Sequence, residues 1–299
     1  MAASDNTFRS GYVAVTGKPN VGKSTLVNAL IGSKVAIVSN KPGTTRSRIQ
    51  GVMHEKDAQI VFVDTPGLAR PRGKLDAYMQ SEAKIALDGA DALLVMIQAG
   101  YITAIDEEII SRFRGFDIKK IIALNKIDSV PREKTAFALS NIDMSGYDEL
   151  IPISATDGTN LDRLKECLIG MMPEGPMYFP DDMITDQPVR NICAEIIREK
   201  ALALLRDEVP HGIGVEMQRI EHINDRFSEI YANIYVEKQA HKSIVIGHRG
   251  TMLQNIGTAA RLDIEELMGT HVALKLWVKV REDWRNRADD LLTLGYSVQ

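Results

Sequence analysis

A chain of 299 residues with 44% hydrophobic side chains can bury about two domain cores, and its formal net charge of −4 makes it neither strongly basic nor strongly acidic. Its two cysteines, Cys167 and Cys193, sit in amphipathic helical patterns without a C-x-x-C, so structural thiols in a reducing compartment are expected, and the histidines at 54, 211, 222, 241, 248 and 271 show no metal-ligand spacing. The amino-terminal segment MAASDNTFRS has no apolar core and the longest wholly apolar run is ALLVMI, far short of a bilayer span, so secretion and a transmembrane segment are not expected.

In chain order, GYVAVTG is a β-branched apolar run that predicts a buried strand, and STLVNALIG places Leu26, Ala29 and Leu30 at helical spacing before a glycine stop. Between them GKPNVGKS has the spacing G-x-x-x-x-G-K-[S/T]. Gly17 and Gly22 let the backbone of Lys18, Pro19, Asn20 and Val21 wrap an anion, with Thr25 in the first helical turn. Lys23 reaches the outer phosphates, and the Ser24 hydroxyl can ligate Mg²⁺.

After QIVFV comes DTPG, in which Asp64 at a strand end can hold a Mg²⁺ shell through water and the Gly67 N–H can meet a γ-phosphate. A further buried-strand run, IIALNKID, ends on Asn125, Lys126 and Asp128. A carboxylate at Asp128 can accept from both N1–H and the exocyclic amine of guanine, whereas adenine would present an acceptor and no 2-amino group. The strand IPISA then ends on Ser154 and Ala155, where a backbone N–H can donate to guanine O6. In this order, each at a strand end, the motifs predict a guanine nucleotide. Strands and helices alternate as far as NLDRLKECLIGMM, with Leu161, Leu164, Cys167 and Leu168 on one face, which predicts a doubly wound, mostly parallel α/β sheet over residues 1–175.

The prolines at 173, 176, 180 and 188 then mark an extended linker, placed at 176–188. From 189 to 299 the pattern changes to helix, strand, strand, short helix, turn, long helix, strand and helix. The turn, in SIVIGHRGTMLQ, places His248 and Arg249 between Gly247 and Gly250. With the apolar lead ending at Ile246 and a strand on either side, this G-x-x-G matches an α+β KH module in its helix-first order, in which the loop clamps a nucleic-acid backbone. In HVALKLWVKV, Val272, Leu274, Leu276, Val278 and Val280 alternate with Lys275, Trp277 and Lys279. Residues 190–299 carry 15 Lys and Arg against 16 Asp and Glu, so phosphate contact must rest on a local patch including Lys242, Arg249, Lys275 and Lys279.

Through GKPNVGKS, KPGTTR, DTPGL, NKID, ISA, the proline-rich linker and IVIGHRG, nearly the whole chain resembles the Era GTPases, bacterial G proteins with a carboxyl-terminal KH domain. The resemblance implies binding of GTP and GDP with Mg²⁺, and hydrolysis by a set comprising Lys23, Thr45 and Gly67. It also implies binding of the 3′ end of small-subunit ribosomal RNA and a role in small-subunit assembly, in the cytoplasm or peripherally at the inner face of the cell membrane. Thr45 would close on Mg²⁺ and the γ-phosphate, with its neighbour Thr44 as the alternative. Leu68 stands where Ras-like proteins place a water-orienting glutamine. Asn20, in a P-N-V-G-K-S form similar to that of potassium-activated G proteins, marks a candidate K⁺ site. Two other readings stand beside this one: a GTPase whose carboxyl-terminal domain docks a protein or membrane surface, and an NTP-consuming metabolic enzyme.

Overall fold

The structure, a computed structural model, describes residues 7–38, 49–64 and 73–296. Most of the chain up to Asp186 forms one compact unit, and residues from Gln187 onward form the body of a second. In the first unit, β1 (Arg9–Gly17), β2 (Ile49–Glu55), β3 (Ala58–Asp64), β4 (Ala92–Gln98), β5 (Lys119–Asn125) and β6 (Glu149–Pro152) form one sheet in the order β2-β3-β1-β4-β5-β6. All neighbours are parallel except β2 and β3. Strand β3 is buried along its whole length, as a sheet covered on both faces requires.

Alternate residues of β4 supply the two cores. Leu94 and Met96 pack with Leu26 and Leu30 of α1 (Lys23–Ile31) and with Leu164 and Leu168 of α5 (Leu161–Met171). Leu93 and Val95 pack instead with Ile109 and Phe113 of α3 (Ala104–Phe113). Helix α4 (Arg132–Asn141) and the part of α2 (Lys74–Asp88) from Met79 onward complete the set. Because the strands run parallel, Gly17, Asp64 and Asn125 all stand at carboxyl ends, where an open α/β sheet builds its ligand crevice.

The proline-rich stretch carries bends and a turn, with the Met183 N–H donating to Pro180 O at 2.9 Å, and it is clasped to the first unit rather than free. Gln59 Oε1 accepts from the N–H groups of Tyr178 and Phe179, and the Val52 N–H donates to Ile184 O at 2.8 Å. Thr185 Oγ1 donates to Gln50 O at 2.6 Å, and Tyr178 stacks on Tyr12 at 5.4 Å. Prolines cannot complete a strand ladder, so the bonding is shared between backbone groups of the edge strand β2 and the side chains of Gln59 and Thr185.

The second unit runs α6 (Val189–Leu204), β7 (Gly214–Asn224), β8 (Phe227–Val236), α7 (Gln239–Ile246), α8 (Thr251–Met268), β9 (His271–Val280) and α9 (Ala288–Thr293). Its sheet has the order β7-β8-β9, with β7 and β8 antiparallel and β8 and β9 parallel. Cys193, Ile196 and Ile197 of α6 meet Ile256, Ala260 and Ile264 of α8 over Ile230, Ile234 and Val278. Burial pushes the Cys193 thiol up to about 12, so it is an inert packing group. On β9, Val272, Leu274, Leu276, Val278 and Val280 join this core. Strand alternation therefore turns Lys275, Trp277 and Lys279 to the opposite face of the sheet. Lys275 and Lys279 thus do not share a face with the apolar side that meets the helices, contrary to their grouping in one patch with Lys242 and Arg249.

Candidate functional site

The loop between β1 and α1 adopts a backbone that ordinary residues avoid. Gly17 has φ 149°, Asn20 65° and Gly22 100°. A Cβ on Gly17 would lie 2.3 Å from Met96 O, and one on Gly22 would lie 2.4 Å from Asn125 Nδ2, so both positions require glycine by space as well as by φ. Lys23 is buried and its Nζ donates to Gly17 O and Lys18 O, each at 3.2 Å. Burial pulls its pKa below the usual lysine value, and Asp64 only partly offsets this. A buried ammonium held by carbonyl oxygens is the partner a polyphosphate completes.

Asp64 is fully buried at the end of β3, and its Oδ2 accepts from Ser24 Oγ at 2.6 Å. A hydroxyl and a buried carboxylate this close fit a Mg²⁺ ion that bonds one directly and the other through water, with phosphate oxygens supplying further ligands.

Asn125 locks the base side of the site. Its Nδ2 donates to Val21 O at 2.8 Å, and its Oδ1 accepts from the Ala155 N–H at 3.0 Å, so one amide ties the phosphate loop to the loop after β6. Lys126, at φ 66°, donates to Asn20 O at 2.6 Å and to Gln98 Oε1 at 3.3 Å. Burial lowers its pKa, Asp128 opposes that, and Lys18 adds to it. The Ser154 N–H donates to Thr159 O at 3.1 Å, so both backbone donors expected to face guanine O6 are engaged inside the protein. A bond from the Ala155 N–H to a base would have to be shared with Asn125 Oδ1. Asp128 sits in the short turn Ile127–Ser129 directly after Lys126.

Sequence reasoning missed two of these partners. One is Asp106, fully buried, which pairs with the Lys18 side chain at 2.7 Å. Asp106 also accepts from Thr103 N at 3.0 Å and from Thr103 Oγ1 at 2.6 Å, a capping box at the start of α3. The T-x-x-D spacing of that box was a readable signal; its pairing with a lysine 88 residues away was not. Gln98, closing β4, had no signal. Thr44, Thr45, Gly67 and Leu68 lie outside the described residues.

In the second unit, α7 ends at Gly247 (φ 74°), followed by Arg249 (φ 49°) and Gly250 (φ 82°), and α8 begins at Thr251. A Cβ on Gly247 would come within 2.6 Å of Met252 Cβ, so the turn is tight. His248 and Arg249 are exposed, Lys242 and Ile246 half-buried on α7. Beside the turn lies a groove of about 360 Å³ lined by Leu253, Gln254, Gly257, Arg261, Leu274 and Leu276 among others. Leu274 and Leu276 stand out in the sequence only as one face of an alternating strand, and the α8 members are not singled out there, although they repeat at helical spacing. Arg261 is steadied by Glu265 at 2.8 Å; the bond from the Val272 N–H, and then Arg261, hold the Glu265 carboxyl below its usual range. The helix start, the two exposed cationic or polar side chains and the apolar groove suit a phosphate backbone with its bases turned inward.

Among the described residues no helix is long and apolar enough to cross a membrane. The two sites define a P-loop GTPase joined to a KH module. Residues 12–126 match the family described as 50S ribosome-binding GTPase, and residues 208–285 match the KH domain family. The chain is 47% identical to GTPase Era of Alkaliphilus oremlandii over 97% of this chain and 99% of that one, and 44% identical to GTPase Era of Clostridioides difficile over the same shares. It is 42% identical, with a TM-score of 0.92 over 97% of this chain and 100% of the other, to an Era solved with MgGDPNP and nucleotides 1506–1542 of 16S ribosomal RNA. A variant of Aquifex aeolicus Era bound to GDP and aluminium fluoride gives 42% and 0.91 over the same shares. The chain belongs to the GTPase Era family and is a GTP hydrolase that works with GTP, GDP and Mg²⁺.

Proposed function

We propose that the protein is a GTP-driven switch that binds the 3′ end of small-subunit ribosomal RNA and acts in assembly of the small ribosomal subunit. The observation that carries this is the left-handed Gly247–Gly250 turn opening onto an apolar groove, in a chain whose full-length structural neighbour was solved with 16S RNA. The family description of the first unit speaks of the 50S subunit. The small-subunit reading rests instead on that full-length likeness.

In the first unit, Gly17 to Thr25 hold the phosphates, Lys23 meets the outer ones, Ser24 and Asp64 hold Mg²⁺, and Asp128 reads guanine. Asn125 acts chiefly by holding the phosphate loop and the Ala155 loop at one spacing. Thr45, or Thr44, and Gly67 complete the hydrolytic set. Mg²⁺ supplies charge neutralisation across the outer phosphates when bound. With leucine at position 68, a monovalent cation held by Asn20 supplies the charge that an arginine would otherwise bring.

In the second unit, His248, Arg249 and Lys242 meet the RNA backbone. The protein works in the cytoplasm, and peripheral association with the inner membrane face would appear as co-sedimentation with anionic vesicles. The decisive experiment crosslinks the purified protein to ribosomal RNA with and without a non-hydrolysable GTP analogue. Crosslinks at the 3′ end of the small-subunit RNA are expected; their absence in both states would overturn the RNA role and favour docking to a protein or membrane surface.

A further inference from the structure

The outward row of β9 reads Ala273, Lys275, Trp277, Lys279, with no acidic residue in it. Trp277 keeps 48% of its surface exposed, whereas Trp284, the chain's other tryptophan, is fully buried. Yet Trp277 is held in place. It stacks on Tyr231 of β8 with centroids 6.1 Å apart and planes 9° from parallel, and the Arg219 guanidinium of β7 lies 4.0 Å over Tyr231.

Strand register sets Arg219 opposite Tyr231 across β7 and β8 and Trp277 opposite Asn233 across β8 and β9, so Trp277 reaches Tyr231 along the diagonal. Three planar groups therefore stand side by side on the sheet. Trp277 is the last of them, on the edge strand. The acids of this face are all engaged: Glu229 accepts from Lys275 Nζ at 2.8 Å and from the Tyr231 hydroxyl, Glu221 pairs with Arg219 at 3.1 Å, and Glu216 accepts from the Tyr235 hydroxyl at 2.7 Å. Lys279 stands two residues beyond Trp277 on the same face and is exposed.

We propose that this face is a second contact for single-stranded RNA, where an unpaired nucleobase stacks on the open side of Trp277 and Lys279 neutralises the adjoining phosphate. It rests on the RNA-binding reading above but is a separate surface, because Leu274 and Leu276 line the groove while Lys275, Trp277 and Lys279 face the other way. Base stacking on an aromatic ring tolerates any sequence, and the neighbouring cation gives it salt dependence. A protein partner fits less well: the row offers one ring between two lysines rather than a contiguous apolar patch, and lysine is depleted from protein interfaces.

The test uses the full chain with Mg²⁺ and a non-hydrolysable GTP analogue. Two RNA probes from the 3′ end of small-subunit ribosomal RNA are compared: one of about four nucleotides, the span a KH loop clamps, and one several times longer. The longer RNA should quench tryptophan emission, with Trp284 as a constant background. Trp277→Ala should weaken its binding about ten-fold while leaving the short probe unaffected. Trp277→Phe should keep the affinity but lose the quench, and Lys279→Gln should lower the salt slope by about 0.7. Unchanged long-RNA affinity in Trp277→Ala, with binding lost in a His248→Asp/Arg249→Asp variant, would overturn this platform and leave the RNA role standing. Failure of the unsubstituted protein to bind either probe would overturn both.

Discussion

Two glycine turns in this molecule each open a helix, and they differ in how far they are enclosed. The loop before α1 is enclosed: Lys23 is buried, Gly22 touches Asn125, and Asp64 is fully buried beside Ser24. The turn before α8 is open, with His248 and Arg249 exposed and nothing within 4 Å of a Cβ placed on Gly250. A small, highly charged ligand is held best where desolvation strengthens each contact; a polymer needs a surface its ends can leave. Both turns place non-glycine residues at positive φ, Asn20 and Arg249, which packing must hold in place.

The enclosed turn should be the more fragile. Gly22→Ala places a Cβ in left-handed backbone against Asn125 Nδ2, forcing that amide off Val21 O and Ala155 N. We expect a stability loss of about 2–4 kcal/mol and loss of measurable GTP binding, with RNA binding retained by the folded fraction. Thermal unfolding and titration with a fluorescent GDP measure it. Asn125 relaxing with no change in affinity would break the contrast.

Next in size, Asp128→Asn should lower guanine nucleotide affinity about 100-fold and raise that for xanthine nucleotides, since the amide can donate to the 2-oxygen of xanthine. Competition between GTP and xanthosine triphosphate decides it. Tight GTP binding without gain for xanthosine would remove Asp128 from base reading.

At the open turn, His248→Asp with Arg249→Asp sets like charge against phosphate, and RNA affinity should fall ten-fold or more while GTP affinity stays level. Filter binding at two salt concentrations distinguishes a phosphate contact, whose variant loses part of the salt slope, from a purely structural turn, whose variant does not.

The smallest effect concerns turnover at the enclosed site. Hydrolysis should be several-fold faster in KCl than in NaCl at equal ionic strength, with the difference lost in Asn20→Ala. Equal rates in both salts would leave RNA or a protein partner as the activator.

The amino-acid sequence by itself determined the two phosphate turns, the order of the nucleotide motifs at strand ends and the helix-first plan of the second unit. These are written in short spacings of glycine, lysine and β-branched runs, whose backbone chemistry is local. Tertiary structure alone decided that Asn125 bridges Val21 and Ala155, that Lys18 turns to Asp106, that residues 173–185 clasp strands of the first sheet, and that a groove opens on the apolar side of β9, away from Lys275 and Lys279. Each of these depends on which strands lie side by side and in what register. That is settled by packing the whole hydrophobic core, because a slip of one residue would send every side chain of a strand to the other face.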